Sequence, residues 1–168
     1  APGGRLNWLP QPTILFSGAR LTRSIEADVA ENASLLIGEA TIFGRTASGE
    51  QMGFGVFRDK WRIRRDGRLL FAEEVRLEGH LGEMMGRPAI ANNGIATALL
   101  IHTGPNAEDM RESVRKSLFD CPGVHGVSAW RGMLVMRALA NGLSEVQCVL
   151  HRAVQALTRA AIPRLWQF

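Results

Sequence analysis

The fold is decided by the stretch Trp61-Arg62-Ile63-Arg64-Arg65-Asp66-Gly67-Arg68-Leu69-Leu70-Phe71, which lies before the middle of a 168-residue chain. Apolar and polar side chains alternate before Asp66-Gly67, with the period of a strand that buries one face, and a second apolar run follows. Asp-Gly between two such runs is a strong hairpin signal, because the turn needs positive φ values that Asp and Gly tolerate. The stretch therefore predicts two antiparallel strands joined by a tight turn.

Further strands are predicted on both sides of this hairpin. The segment 34–43 is almost entirely apolar, as in a strand that is buried on both faces. Glycines, one proline and an Asn-Asn pair interrupt the pattern over 79–93 and predict a loop. Arg131-Gly132 separates two more runs and predicts a second hairpin. The predicted strands are residues 20–29, 34–43, 54–57, 61–64, 69–77, 96–103, 124–130 and 133–140.

A change of period after residue 103 predicts the first helix. Met110, Val114 and Leu118 recur at i, i+4 and i+8, which places them on one apolar stripe. Asn106 is the predicted N-cap, and Asp109 lies in the first turn, where the helix dipole favours an anion. The predicted helix ends before Cys121-Pro122-Gly123.

A second helix is predicted to begin at the pair Ser144 and Gln147, which fits the capping-box pattern. It continues to about Ala161, and Pro163 ends it. Many strands followed by a helix, a hairpin and a last helix indicate a mainly β protein with two α-helices in the C-terminal half. The length favours a single domain over residues 1–168.

Composition limits the function without selecting one. Hydrophobic residues make up 46% of the chain and charged residues 21%, as in an ordinary folded domain. The net charge is +4, and 18 of the 20 basic residues are Arg, a side chain that binds phosphate or carboxylate with two parallel hydrogen bonds. No apolar run approaches the length of roughly 18 residues that a membrane span needs, so the expected location is the cytoplasm.

The residue types that carry catalysis or bind metals do not cluster in this sequence. None of its four histidines has another histidine or a cysteine as a partner at metal-ligand spacing. A hydrolase would have to use Ser48 or Cys121, and neither lies in a nucleophile's usual sequence context. Cys121 and Cys148 are expected to be free thiols. The sequence therefore predicts a protein without catalytic residues, bound metal or cofactor.

The segment Gly44-Arg45-Thr46-Ala47-Ser48-Gly49-Glu50 carries the most specific charge pattern. Arg45 lies in sequence between two acids, Glu39 in the preceding apolar strand and Glu50 at the end of the segment. Such an arrangement predicts a loop that is fixed by charge-assisted hydrogen bonds. Two interpretations remain open, a bond that only holds the loop together and a site that contacts a partner.

An ordered set of motifs resembles the urease accessory protein D family (UreD, called UreH in some bacteria). The motifs are Trp8-Leu9-Pro10-Gln11-x-Thr13-Ile14, Gly44-Arg45-x-Ala47-x-Gly49-Glu50, Arg58-Asp59-x-Trp61-x-Ile63, Asp66-Gly67-Arg68-Leu69 and Pro163-Arg164-Leu165-Trp166. The resemblance implies a stack of sheets similar to a β-helix, with two helices near the C-terminus. Members of the family usually begin well upstream, so the chain is expected to be the C-terminal portion of a UreD-like protein.

The resemblance also implies a function in metallocentre assembly. Proteins of this family are chaperone-like scaffolds that bind apo-urease and recruit the F accessory protein and the GTP-hydrolysing G accessory protein for nickel insertion. Nickel is then expected at most in transit through the complex. The residues that the resemblance suggests for a polar path or contact loop are Glu39, Arg45 and Glu50. Those suggested for orienting the hairpin toward a partner are Arg58, Asp59 and Asp66.

The alternative function is a basic β domain that binds nucleic acid. Its affinity would come from arginines between residues 58 and 68, with Trp61 stacking on a base. Within a strand, however, Arg62 and Arg64 share one face, and Trp61 lies on the other. This alternation argues against a stacking groove, and the family resemblance implies no nucleic-acid partner.

Overall fold

The computed structural model describes residues 2–159, and these residues form nine β-strands and three α-helices. The strands are β1 (Arg5–Trp8), β2 (Thr13–Leu15), β3 (Arg20–Val29), β4 (Ser34–Phe43), β5 (Phe54–Arg65), β6 (Arg68–His80), β7 (Ala96–Thr103), β8 (Val124–Trp130) and β9 (Met133–Ala140). The helices are α1 (Leu81–Gly86), α2 (Arg111–Ser117) and α3 (Leu143–Thr158).

The strands form two open sheets that pack face to face. The larger sheet has the order β1-β4-β7-β9-β8, with β2 also paired to β4, and the smaller sheet has the order β3-β5-β6. Side chains from both sheets meet in shared apolar clusters between them. Helices α2 and α3 cover the other face of the larger sheet, where a third cluster lies. The predicted mainly β fold with two helices in the C-terminal half is confirmed.

The first five strands wind between the two sheets in the manner of a β-helix. β1 and β2 pair in parallel with β4, and β3 pairs in parallel with β5. Parallel neighbours need a crossover connection, and here the crossover is a strand of the opposite sheet. Pro10 and Pro12 separate β1 from β2 at the sheet edge, where the missing backbone N–H groups break no ladder. After β5 the chain continues with antiparallel pairs.

Strand β4 lies in the centre of the structure, as its apolar sequence predicts. Its alternate residues face the smaller sheet, as Leu35 and Ile37 do, or the helices, as Leu36 and Ala40 do. Burial of each large aliphatic side chain contributes about 1.5–3 kcal/mol. Because its two faces lie in different apolar clusters, β4 joins both halves of the core.

Both predicted hairpins are confirmed. Asp66 and Gly67 have φ values of 46° and 74°, and Arg131 and Gly132 have values of 51° and 71°. Positive φ at both central residues is the backbone geometry that matches the twist of the flanking strands. The runs 54–57 and 61–64 belong to one continuous strand, β5.

The prediction of a loop over residues 79–93 is wrong at its start, where α1 lies. Leu81 and Met85 are buried at i and i+4 against the smaller sheet. This apolar pair stabilises one and a half turns of helix although Gly82 and Gly86 disfavour it. Tertiary packing therefore overrides the glycine signal.

The predicted starts of the two long helices are also wrong. Helix α2 begins at Arg111, so Asn106 does not cap it. The cause is Ala107, whose amide donates to the Gly104 carbonyl oxygen at 3.2 Å and whose side chain is buried, which holds this segment in a turn. Helix α3 begins at Leu143, one residue before the predicted cap Ser144.

Helix α3 ends at Thr158, before the predicted end near Ala161, and Arg159 follows it with a left-handed φ of 54°. Pro163 and the motif at residues 163–166 lie outside the described residues. No helix of the described part of the chain is both long and apolar enough to cross a membrane.

Candidate functional site

A cavity of about 590 Å³ lies between the two sheets. Its walls are mainly apolar, and the rings of Phe43 and Phe57 meet edge to face with their centres 5.5 Å apart. Three charged side chains, Arg23, Glu39 and Asp59, line the same cavity. They lie between two apolar clusters, one around Trp61 and one around Phe57, and so divide the core between the sheets.

The period of the strands explains why these charged side chains point inward. Arg23 is on the same side of β3 as Ile25, and Asp59 is on the same side of β5 as Trp61, because alternate residues of a strand share one face. Strands β3 and β5 pair with Arg23 opposite Asp59. Glu39 reaches the same point from β4 in the opposing sheet.

Arg23 connects the two carboxylates. Its Nε donates to Asp59 Oδ1 at 2.8 Å and its Nη2 to Asp59 Oδ2 at 2.7 Å, a bidentate pair. Its Nη1 lies 2.5 Å from Glu39 Oε2, although this contact lacks hydrogen-bond alignment, and also donates to Thr13 Oγ1 at 3.2 Å. The Trp61 indole N–H donates to Asp59 Oδ2 at 3.0 Å. Asp59 is therefore held by three hydrogen bonds, and Glu39 chiefly by charge.

The two carboxylates are almost inaccessible to water, since Glu39 is 6% and Asp59 7% exposed. Burial raises the pKa of Glu39, the Arg23 charge lowers it, and the nearby Asp59 charge raises it further, so the net pKa is above its usual value. Burial lowers the pKa of Arg23, but its hydrogen bonds to Asp59 and its charge contacts with both acids outweigh this effect and raise it. Glu39 is thus the member of the cluster that binds a proton more readily than an exposed glutamate.

A second ion pair connects the sheets at another part of the cavity wall. Arg137 of β9 donates through Nε to Glu73 Oε2 of β6 at 3.1 Å, and its Nη2 contacts the same oxygen. The Arg137 guanidinium also lies 5.7 Å from the centre of the Phe71 ring. Half of the Arg137 side chain is exposed, so this side of the cavity is in contact with solvent. The cavity therefore has one buried charged side and one hydrated charged side.

The predicted loop with fixed charges is present, but it contains only two of the three predicted residues. Arg45 Nε contacts Glu50 Oε2, and Glu50 Oε1 accepts a hydrogen bond from the Ser17 amide at 2.8 Å. Hydrogen bonding to Arg45, then to Ser17, lowers the pKa of Glu50. Arg45 also lies 5.4 Å from the centre of the Phe16 ring. Glu39 forms its ion pair with Arg23 instead, because it faces the cavity.

The three residues predicted to orient the hairpin do not form one group. Arg58 lies on the outer face of the smaller sheet and donates to Glu78 Oε2 at 2.8 Å. Asp59 points inward from the neighbouring position, and Asp66 lies in the turn at the end of β5. Hydrogen bonds and charge from Arg58, with a smaller contribution from Arg76, lower the pKa of Glu78.

The structure removes the physical basis of the nucleic-acid alternative. Trp61 is 2% exposed and packs between the sheets, so it is not available to stack on a base. Arg62 and Arg64 lie on the outer face and each approaches an acid, Glu74 and Glu26, at 3.7 Å. A single-strand groove needs exposed aromatic rings beside unpaired cations, and this face lacks that combination in the described residues.

Sequence reasoning missed three charged residues of the cavity, Arg23, Glu73 and Arg137. A signal was present for Arg23, which occupies the apolar phase of β3, where a charge is buried and needs a partner. Within residues 2–159, no group of three or more His, Cys, Asp or Glu side chains is arranged to hold a metal ion. The carboxylates of Glu39 and Asp59 are already in contact with a cation, Arg23.

Comparison with known proteins gives a family match along almost the whole chain. The model of the UreD urease accessory protein family matches residues 1–167. The protein named urease accessory protein UreD of Rhodopseudomonas palustris (strain BisA53) is 48% identical over 99% of this chain and 57% of the relative. Urease accessory protein UreD 1 of Bradyrhizobium sp. (strain ORS 278) is 42% identical over 99% of this chain and 59% of that relative. The chain thus spans somewhat more than half the length of these relatives.

Proposed function

The chain belongs to the UreD urease accessory protein family, and from this premise we propose that it is a scaffold in urease maturation. In this proposal it binds apo-urease and recruits the F accessory protein and the GTP-hydrolysing G accessory protein, so that nickel is inserted into the urease active site. The observation that carries the proposal is the family match over residues 1–167. The family is one of accessory proteins, and its relatives' names assign them no catalysis.

The architecture supports a scaffold because its charges are fixed in place. Two ion pairs, Arg23–Glu39 and Arg137–Glu73, connect the sheets, and a third, Arg45–Glu50, holds the loop after β4. Charges that are already positioned lose little conformational freedom when a partner binds. Such a frame favours binding through preformed charge complementarity.

We assign the predicted site residues to two roles within this proposal. Glu39 and Asp59 line the cavity and form the polar part of a path for nickel as cargo. Because Arg23 offsets one of their two negative charges, they would attract a passing dication less strongly than two unpaired acids, which suits transit better than storage. Arg45, Glu50, Arg58 and Asp66 are largely outside the cavity, and we assign them to contacts with the partner proteins.

The contact role is tested by Glu50→Ala. The substitution removes the carboxylate that joins Arg45 to the Ser17 amide, while its position at the surface, with 22% of the side chain exposed, limits the loss of stability. We expect urease activation to fall by up to about tenfold, equivalent to about 1.4 kcal/mol of partner binding. The matched control is Glu112→Ala, which removes another exposed acid with arginine partners, on α2.

Activation is measured as urease activity in cells that carry the urease genes and this chain as their only UreD protein. Thermal unfolding of both purified variants is measured in parallel. A loss of activity for Glu50→Ala that only matches its loss of stability would overturn the contact role. Activity no higher than without any UreD protein, for the unchanged chain, would overturn the scaffold proposal itself.

A further inference from the structure

The two cysteines of the chain are brought together by the packing of α3 against the end of the α2 segment. Cys121 and Cys148 are 27 residues apart in sequence, and their Sγ atoms lie 3.1 Å from each other. Both are free thiols. The distance exceeds the S–S bond length in a disulfide by only about 1 Å. The two sulfur atoms are therefore already close to bonding distance.

Both cysteines are attached to well-anchored backbone. The Cys121 amide donates to the Leu118 carbonyl oxygen at 2.9 Å, and the Cys121 side chain is buried in the cluster beneath α2 and α3. Cys148 lies in α3 between the fully buried residues Val146 and Val149. The pair is therefore held in contact by the core, which gives the second thiol a high effective concentration toward the first.

We propose that Cys121 and Cys148 form a redox modification site at which a low-molecular-weight disulfide, such as glutathione disulfide, converts the two thiols into an intramolecular disulfide. The Cys148 thiolate attacks one sulfur of glutathione disulfide, the S–S bond breaks, and one glutathione leaves with the released proton. Cys121 then gives up its proton as its sulfur attacks Cys148 Sγ, and the second glutathione leaves with that proton. Two electrons pass from the protein to the reagent, and two glutathione thiols are produced.

The order of the two attacks follows from accessibility. Cys148 is partly exposed, whereas Cys121 is buried. Burial and the contact with Cys148 also raise the pKa of Cys121 to about 11, and this keeps its thiol protonated at neutral pH. Cys148 is therefore the entry residue, and Cys121 is the resolving residue.

The disulfide would restrain one wall of the cavity. Cys121 lies three residues before β8, and the His125 Nε2 atom is 3.3 Å from the Cys121 carbonyl oxygen. His125 lines the cavity, and β8 is an edge strand that pairs only with β9 within the described sheet. A bond from Cys121 to Cys148 therefore ties the start of β8 to α3. The thiol chemistry does not depend on the proposed function in urease maturation.

The test treats the purified chain with glutathione disulfide and maps its peptides without reduction. We expect one product that lacks two hydrogen atoms and yields a peptide pair joined at Cys121 and Cys148. Its Tm should exceed that of the dithiothreitol-reduced chain by about 5–10 °C, because the cross-link restricts the unfolded chain. Amide hydrogen exchange over residues 121–126 should become slower.

Two single variants separate the steps of the reaction. Cys121→Ser should accumulate one glutathione adduct at Cys148, whereas Cys148→Ser should remain almost unmodified. Two glutathione adducts on the unchanged chain, or equal reactivity of the two variants, would overturn the proposal. An intramolecular disulfide with unchanged exchange over residues 121–126 would overturn its effect on the cavity wall.

Discussion

The charged cluster in the cavity predicts opposite behaviour for its two acids. Asp59→Asn should destabilise the protein strongly, whereas Glu39→Gln should have little effect. Both substitutions keep the size of the side chain and remove one negative charge, so each serves as the control for the other. The difference between them arises from hydrogen bonding, since Asp59 accepts three well-aligned bonds and the Glu39 contact with Arg23 lacks such alignment.

The magnitude for Asp59→Asn follows from the donors that face it. Arg23 Nη2 and the Trp61 indole N–H both donate to Oδ2, and Arg23 Nε donates to Oδ1. An Asn side chain offers one acceptor oxygen, so at least one donor must face an amide NH₂ group. Removal of one partner of a buried ion pair costs about 3–5 kcal/mol. Arg23 retains Glu39, so we expect the lower end, about 3 kcal/mol.

Glu39→Gln should cost below about 1 kcal/mol. The substitution removes a charge that burial disfavours, as the raised pKa of Glu39 indicates, and leaves Arg23 in a one-to-one bidentate pair with Asp59. The variant loses the attraction between Arg23 and Glu39, but it also avoids the cost of burying the Glu39 charge. The two effects offset each other.

The assay is thermal and denaturant unfolding of the two variants beside the unchanged chain at pH 7. At 2–4 °C per kcal/mol for a chain of this size, Asp59→Asn should lower Tm by about 6–12 °C. Glu39→Gln should stay within about 3 °C of the unchanged chain. If Glu39→Gln proves at least as destabilising as Asp59→Asn, the assignment of Asp59 as the structural partner of Arg23 is refuted.

Three further predictions concern pH and backbone geometry. Folding raises the pKa of Glu39, so above pH 4.5 the folded protein binds a proton at Glu39 more readily than the unfolded chain does. The unchanged chain should therefore gain stability relative to Glu39→Gln as pH falls from 7 toward 5. Parallel curves of stability against pH for the two proteins would contradict this. Arg45→Ala should raise the lowered pKa of Glu50 toward its usual value in an NMR titration, and an unmoved pKa would exclude Arg45 as the cause. Gly44→Ala should cost about 3 kcal/mol in denaturant unfolding, because φ is 99° and the new Cβ would lie 2.9 Å from two backbone atoms. Gly49→Ala, with positive φ but open space, should cost about 1 kcal/mol, and equal costs would contradict the close approach at Gly44.

The features that sequence predicted well have local causes. Asp66-Gly67 and Gly132 mark their hairpins because Asp and Gly adopt the positive φ values that these turns need. The continuous apolar run over 34–43 predicted a strand with two buried faces. This prediction needed only the residues of that segment, because their pattern indicates both the strand and its burial. The winding of parallel strands between two sheets has no local signal, and it was expected only from the family resemblance.

The features that sequence missed depend on distant contacts. A charge on the apolar side of β3 indicates that Arg23 is buried, but the partner acids Glu39 and Asp59 come from two other strands. The capping pattern at Asn106 failed because burial of Ala107 holds a turn there, which no spacing rule contains. Glu39 and Arg45 are close in sequence, but they do not pair with each other. Glu39 faces the cavity and pairs with Arg23 instead.

The central claim, that the chain is a scaffold for urease maturation, is tested most directly by complex formation. The chain is mixed with nickel-free urease and the F accessory protein, and the mixture is separated by size-exclusion chromatography with mass determination. The Rhodopseudomonas palustris (strain BisA53) relative is run under the same conditions as the control. We predict that the chain elutes with both proteins. Elution of the chain alone, while the relative binds, would contradict the claim.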